Sequence, residues 1–255
     1  MGRRLAPVLG LPDDVRACLF DLDGVLTSTA KVHAAAWKEM FDAYLRDRAV
    51  RTGTPFVQFD VATDYVDYVD GKPRADGTRD FLASRGIRLP EGTADDPPEA
   101  ETVRGLGLRK NELVLRLIRD GGVEAYPGSL EYLRRAREAG LARVVVSSST
   151  NCHDVLVAAG LLELVDGYVD GTVAEQRRLR GKPAPDTFLA GADQAGVAPT
   201  EAAVFEDALA GVEAGRAGGF RRVVGVDRVG AGHAEALLGH GADVVVADLS
   251  ELLDR

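Results

Sequence analysis

Two carboxylate pairs, one lysine and a run of hydroxyls carry the chemical potential of this chain. Asp21 and Asp23 lie in FDLDGVLT, Glu206 and Asp207 in VFEDALAG, and Lys182 in GKPAPD; Ser147, Ser148, Ser149 and Thr150 follow the apolar run RVVV. Carboxylates from two places can hold one hard divalent cation, and Mg2+ suits oxygen donors that leave room for water and a phosphate oxygen. Hydroxyls together with amides at a helix start cradle an anion, and a lysine adds a point charge to the same cradle. An ionised aspartate in that setting can attack phosphorus and carry the phosphoryl group. The cation and the lysine then offset the repulsion between carboxylate and phosphate. Taken singly, each motif has a plainer reading. Asp-Gly favours turns, serines cap helices, and a lysine among Gly and Pro is ordinarily solvated.

The elements predicted around these groups bring them to one side of one sheet. Short β-branched or apolar runs at Ala17–Phe20, Leu141–Val146, Ala203–Phe205, Arg222–Val226 and Asp243–Val246 read as strands buried on both faces. Helical stretches lie between them, several ending at glycine, as at Gly140, Gly160, Gly196 and Gly218–Gly219. Strands alternating with helices imply a parallel, doubly wound sheet. Ligands bind such a sheet beyond the carboxyl ends of its strands, where all four motifs fall. Between the first and second strands the pattern changes. AAWKEMFDAYLRD, TRDFLASRG and RKNELVLRLIRD read as amphipathic helices, and LPEGTADDPPEAET as an acidic loop. One crossover rarely needs so many residues. The expected fold class is therefore α/β: a Rossmann-like doubly wound parallel sheet core, residues 1–32 and 121–255, with an inserted α-helical cap domain, residues 33–120.

Four motifs in this order resemble those of the haloacid dehalogenase superfamily, and the helical insert after the first motif resembles its β-phosphoglucomutase-like subfamily. The resemblance implies that Asp21 is the nucleophile and Asp23 the general acid/base, with the Asp23 backbone carbonyl on Mg2+. It implies that Asp207 binds the metal, that Glu206 is a metal neighbour or ligand, and that Ser147 and Lys182 bind the transferring phosphoryl group. Ser149 and Asn151 would line the same phosphate site. Ala208 departs from the pattern, standing where many relatives carry a small polar residue. In the cap, Arg74 of GKPRADG matches the arginine that grips a distal phosphate, and Lys110 and Asn111 of RKN match a lysine–asparagine pair. His33 of HAAAWK matches a histidine linked to positioning the general acid/base, and Thr29 a hinge position. Linkers near Lys31 and Gly121 would act as hinges that bring Arg74 and Lys110 over Asp21. The implied activity is a Mg2+-dependent hexose-phosphate mutase, most simply β-glucose 1-phosphate to glucose 6-phosphate through a bisphosphate. The alternatives are a sugar-phosphate phosphatase and a non-catalytic sugar-phosphate-binding protein.

Composition narrows the partners. The 255 residues carry 31 Lys and Arg against 40 Asp and Glu, a formal charge of −9. Such a surface repels nucleic-acid backbones and anionic membranes, so a small anionic substrate needs a local positive site. No window approaches the roughly 18 apolar residues of a membrane span, and residues 1–11 do not read as a signal peptide. Two cysteines without a CxxC spacing give neither a disulfide framework nor a zinc site. A monomer of the reducing cytoplasm is the expectation. Cys18 reads as a small core residue and Cys152, opening a helix, as a somewhat reactive thiol. His153, His233 and His240 read as surface residues outside any constellation.

Overall fold

Short Val-, Ala- and Phe-rich segments form a parallel sheet, seen in a computed structural model that describes residues 9–230 and 232–253. The reading of residues 1–11 as no signal peptide falls mainly on residues outside that range. The chain divides into two units, one formed up to Ser28 and from Val123 onward, the other by Thr29–Gly122. Among the described residues the first unit holds β1 (Ala17–Phe20), β2 (Ala142–Val146), β3 (Gly167–Val169), β4 (Ala202–Glu206), β5 (Arg222–Val226) and β6 (Val244–Val246). Their order is β3-β2-β1-β4-β5-β6, with every pairing parallel. The central strands β1 and β4 are buried along their whole length, as a sheet covered on both faces requires.

The helical unit holds α1 (Ala30–Thr52), α2 (Arg74–Ser84) and α3 (Val103–Gly121). The sheet unit adds α4 (Pro127–Glu138), α5 (Cys152–Ala158), α6 (Gly171–Arg177), α7 (Asp186–Ala195), α8 (Leu209–Ala217) and α9 (His233–His240). On one face of the sheet Phe188 of α7 packs with Leu19, Val144, Val146 and Val204. On the other, Tyr132 of α4 meets Phe20 and Phe205 edge-on, with ring centroids 6.1 and 5.3 Å away. The predicted doubly wound class is the observed one.

The edge strand β3 and the short helix α6 are absent from the sequence-based expectation. Gly167-Tyr168-Val169 is only three residues long and half exposed at its first two, so it lacks the apolar run that marks a buried strand. The acidic loop is bare of helix and strand between Leu89 and Thr102. It is nonetheless tied together, with Asp96 accepting hydrogen bonds from Thr93 Oγ1 at 2.9 Å and Thr102 Oγ1 at 2.6 Å. In the helical unit Trp37, Phe41, Phe59 and Phe81 stack into one aromatic core, with the Phe41 and Phe81 centroids 4.2 Å apart. No helix among the described residues is long and apolar enough to cross a membrane.

Both thiols are free and buried. Burial pushes Cys18 up to about 12 and drives Cys152 upward as well, helped by the charges of Asp23, Asp170 and Asp21. The expectation of a reactive Cys152 is therefore corrected: opening a helix does not activate a thiol that is held protonated in the core.

Candidate active site

Register places the first two motifs side by side. Phe20 of β1 stands opposite Phe205 of β4 and Val145 of β2, and the Asp21 amide donates to the Phe205 carbonyl at 2.9 Å. Asp21 thus follows β1 where Glu206 ends β4, and Ser147 follows β2 on the other side. This is where the strand order reverses, the crevice in which doubly wound sheets bind ligands.

Lys182 reaches into this crevice from the loop before α7 and is almost fully buried. Its ammonium donates to Asp21 Oδ1 at 2.5 Å, to Glu206 Oε1 at 2.5 Å and to the Val146 carbonyl at 3.0 Å. Those three acceptors use all three of its N–H donors. Desolvation opposes its charge, but the Asp21 and Glu206 carboxylates outweigh this and hold Lys182 protonated. Burial pushes Glu206 up, against the pull of Lys182. Its second oxygen accepts from the Ala208 amide at 2.9 Å.

Asp21, Glu206 and Asp207 each offer a carboxylate oxygen, all within 4.8 Å of one another. Two glycines make room for them. A methyl group on Gly24, whose φ is +94°, would overlap the Asp207 carboxylate, and one on Gly211 would overlap Glu206. Three hard oxygen donors against one ammonium, in a seat shaped by glycine, fit Mg2+. Asp23, in the turn that follows Asp21, is half-buried and is not one of the three.

The hydroxyl loop is shaped by its own side chains. Ser147 Oγ accepts from the Ser149 amide and Ser149 Oγ from the Asn151 amide, both at 3.1 Å. Each hydroxyl keeps its proton to donate. Asp170, missed in the sequence reading, caps α6 by accepting from the Val173 amide at 2.8 Å. The next residue, Gly171, donates to the Ser149 carbonyl at 3.1 Å and so backs the loop. Its signal was the Asp-Gly pair after an unrecognised strand.

The other expected residues lie in the helical unit. His33 of α1 and Lys110 of α3 are joined through Nδ1 and Nζ at 2.8 Å. An ammonium only donates, so Nδ1 accepts. Lys110 is buried and sits 4.9 Å above the Trp37 ring. Arg74 opens α2, and its aliphatic stem lies against Gly107 of α3. Burial, then the charges of Lys110 and Arg74, hold the His33 imidazole far below its ordinary value, hence neutral. Asn111 follows Lys110 on α3 and is half-buried. One further correction concerns His233, expected at the surface outside any constellation. Its Nε2 lies 2.8 Å from the Asp207 carbonyl.

Comparison with known proteins now decides the family. Residues 15–219 match the haloacid dehalogenase-like hydrolases. The chain belongs to that family. A β-phosphoglucomutase of Mycobacterium tuberculosis is 59% identical over 247 residues, covering 96% of this chain and 94% of that protein. A β-phosphoglucomutase of Bacillus subtilis is 29% identical over 239 residues, covering 93% and 92%. Among solved structures, a β-phosphoglucomutase of Clostridium difficile superposes with a TM-score of 0.70 at 25% identity, covering 93% of each chain. Within the family, the helical unit inserted after β1 is the cap.

Proposed function

We propose that this protein is a Mg2+-dependent hexose-phosphate mutase that converts β-glucose 1-phosphate to glucose 6-phosphate through an aspartyl phosphate and a bisphosphate. The observation that carries the reading is the buried contact of Lys182 with Asp21 and Glu206 beside Asp207, in a chain so similar to named β-phosphoglucomutases.

In this reading an Asp21 carboxylate oxygen attacks the phosphorus at position 1 of the bisphosphate. The bond from phosphorus to the sugar oxygen breaks, and Asp23 protonates that oxygen to release glucose 6-phosphate. The phosphorylated Asp21 then meets β-glucose 1-phosphate. Asp23 takes the proton of the 6-hydroxyl as that oxygen attacks phosphorus, regenerating the bisphosphate and free Asp21. Lys182 holds Asp21 in place and offsets charge on the transferring group. Ser147, Ser149 and Asn151 take its oxygens. Asp21, Asp207 and the Asp23 carbonyl would hold the metal, with Glu206 as a further ligand or as the neighbour that balances Lys182. Mg2+, when bound, neutralises charge between carboxylate and phosphate. Arg74, Lys110 and Asn111 grip the sugar's other phosphate, and the neutral His33 orients Lys110. The sheet unit is the catalytic core and the helical unit, Thr29–Gly122, the cap. The two free, buried thiols fit a reducing cytoplasm.

Phosphorus NMR with Mg2+, β-glucose 1-phosphate and a trace of the 1,6-bisphosphate tests the reading. Conversion to glucose 6-phosphate at constant total ester is expected. Inorganic phosphate as the main product would replace the mutase with a phosphatase. Tight sugar-phosphate binding without turnover would leave only a binding protein. Arg74→Ala is expected to damage mutase turnover more than hydrolysis of small phosphate esters.

A further inference from the structure

We propose that Arg228, on the loop after β5, and His233, the first residue of α9, are positioning residues that hold the two metal-bearing turns in register. The inference rests on the reading of Asp207 and the Asp21–Asp23 turn as the Mg2+ site. Arg228 Nε donates to the Gly24 carbonyl at 3.1 Å. His233 Nε2 donates to the Asp207 carbonyl at 2.8 Å. A carbonyl only accepts, so Nε2 carries the ring proton. Gly24 and Asp207 are themselves in contact, since Gly24 leaves no room for a methyl group against the Asp207 carboxylate. Arg228 and His233 therefore grip both partners of that contact from behind, through their backbones.

The loop is itself anchored. Arg228 Nη1 donates to the Ala247 carbonyl and to Asp248 Oδ2, both at 2.8 Å. Its guanidinium lies 3.7 Å from the centre of the Tyr126 ring. Ser129 Oγ, 3.4 Å from Arg228 Nη2, donates to the Val25 carbonyl at 2.7 Å. Asp227 Oδ1 accepts from the amides of Val229 at 3.0 Å and Gly230 at 2.7 Å, tightening the turn. With its fork committed to these acceptors and its side chain 16% exposed, Arg228 is built as a brace and not as a substrate ligand.

The physical consequence concerns the cation. Mg2+ demands near-ideal octahedral geometry at about 2.0–2.1 Å and tolerates misplaced ligands poorly. Groups that orient ligands from behind typically control about 10–100-fold of metal affinity. The hydrogen bond, and not bulk, carries the effect at His233. Gln offers an amide donor close to the place of Nε2, while Ala offers none. At Arg228, Lys keeps the charge but not the fork or the flat face that lies on Tyr126.

The test is calorimetric titration of substrate-free protein with Mg2+, for wild type, His233→Ala, His233→Gln and Arg228→Lys, with thermal melts in EDTA alongside. His233→Ala and Arg228→Lys are expected to weaken Mg2+ binding about 10–100-fold while melting near wild type in EDTA. His233→Gln is expected to recover most of the loss. At saturating Mg2+, His233→Ala should regain its kcat with KM for the sugar phosphate unchanged. Wild-type Mg2+ affinity in a folded His233→Ala would overturn the proposal. So would equal losses in His233→Gln and His233→Ala. If Arg228→Lys does not fold, the His233 pair still decides. Absence of Mg2+ binding by the wild type would instead overturn the metal site on which the inference stands.

Discussion

The sheet unit gathers its carboxylates at strand ends, whereas the helical unit gathers His33, Arg74 and Lys110 from three separate helices. Asp21 follows β1 and Glu206 ends β4, and the register of the two strands puts them together. Lys182 then saturates its donors between them. His33, Arg74 and Lys110 come instead from α1, α2 and α3. Nothing in the hydrogen-bond ladder of a helix brings such residues together. The aromatic core of Trp37, Phe41, Phe59 and Phe81 does so by fixing how the helices pack. Chemistry in the sheet unit is thus a property of topology. In the helical unit the grouping of His33, Arg74 and Lys110 is a property of packing, which is easier to retune.

Three experiments test that contrast. The largest effect is expected at Asp21. Asp21→Asn keeps size and register but removes the attacking oxygen's charge, so the phosphoenzyme and all turnover should disappear. Phosphorylated protein trapped from that variant would show that another group is the nucleophile. Next comes the helical unit's core. Phe41 is fully buried, and Phe41→Ala should cost about 3–5 kcal/mol of that unit's stability. Hydrogen exchange should show α1, α2 and α3 losing protection while the sheet keeps it, and a small phosphoryl donor should still phosphorylate Asp21. Equal loss of protection in both units would erase the distinction between them.

The smallest effect concerns acid. Unfolded His33 takes up a proton near its ordinary value of 6.5, and the buried ring resists protonation to well below that. The unfolded chain therefore binds more protons in that window, so stability falls as pH drops below 6.5. Urea unfolding at about pH 7.5 and about pH 5.5 should show this dependence, and His33→Gln should reduce it. An unchanged pH slope in the variant would mean that His33 is not held neutral.

The legible parts of the fold are those with long-period or uninterrupted apolar signals. β1, β2, β4 and β5 read clearly because strands buried on both faces need continuous apolar runs. β3 did not, because a three-residue edge strand buries only Val169. Its loss also hid Asp170 and α6. Of the buried cluster, Asp21, Glu206 and Asp207 were readable from residue type and from position after a strand, and Lys182 from its Gly-Pro loop. Arg228 and His233 were not, since neither lies in a motif and each acts on a backbone carbonyl that sequence pattern does not register. Cys152 misled for the converse reason, because helix position was visible and burial was not.

Residue types and local spacing set the inventory here: which loops carry carboxylates, where hydroxyls follow a strand, and where helices replace strands between Ala30 and Gly121. Which of these groups meet follows from the packed fold. Lys182 lies 161 residues from Asp21 in the chain and 2.5 Å from it in space. Parallel pairing aligns the carboxyl ends of β1, β2 and β4 whatever lies between them, and the loop before α7 lays Lys182 across those ends, where it also donates to the Val146 carbonyl at 3.0 Å.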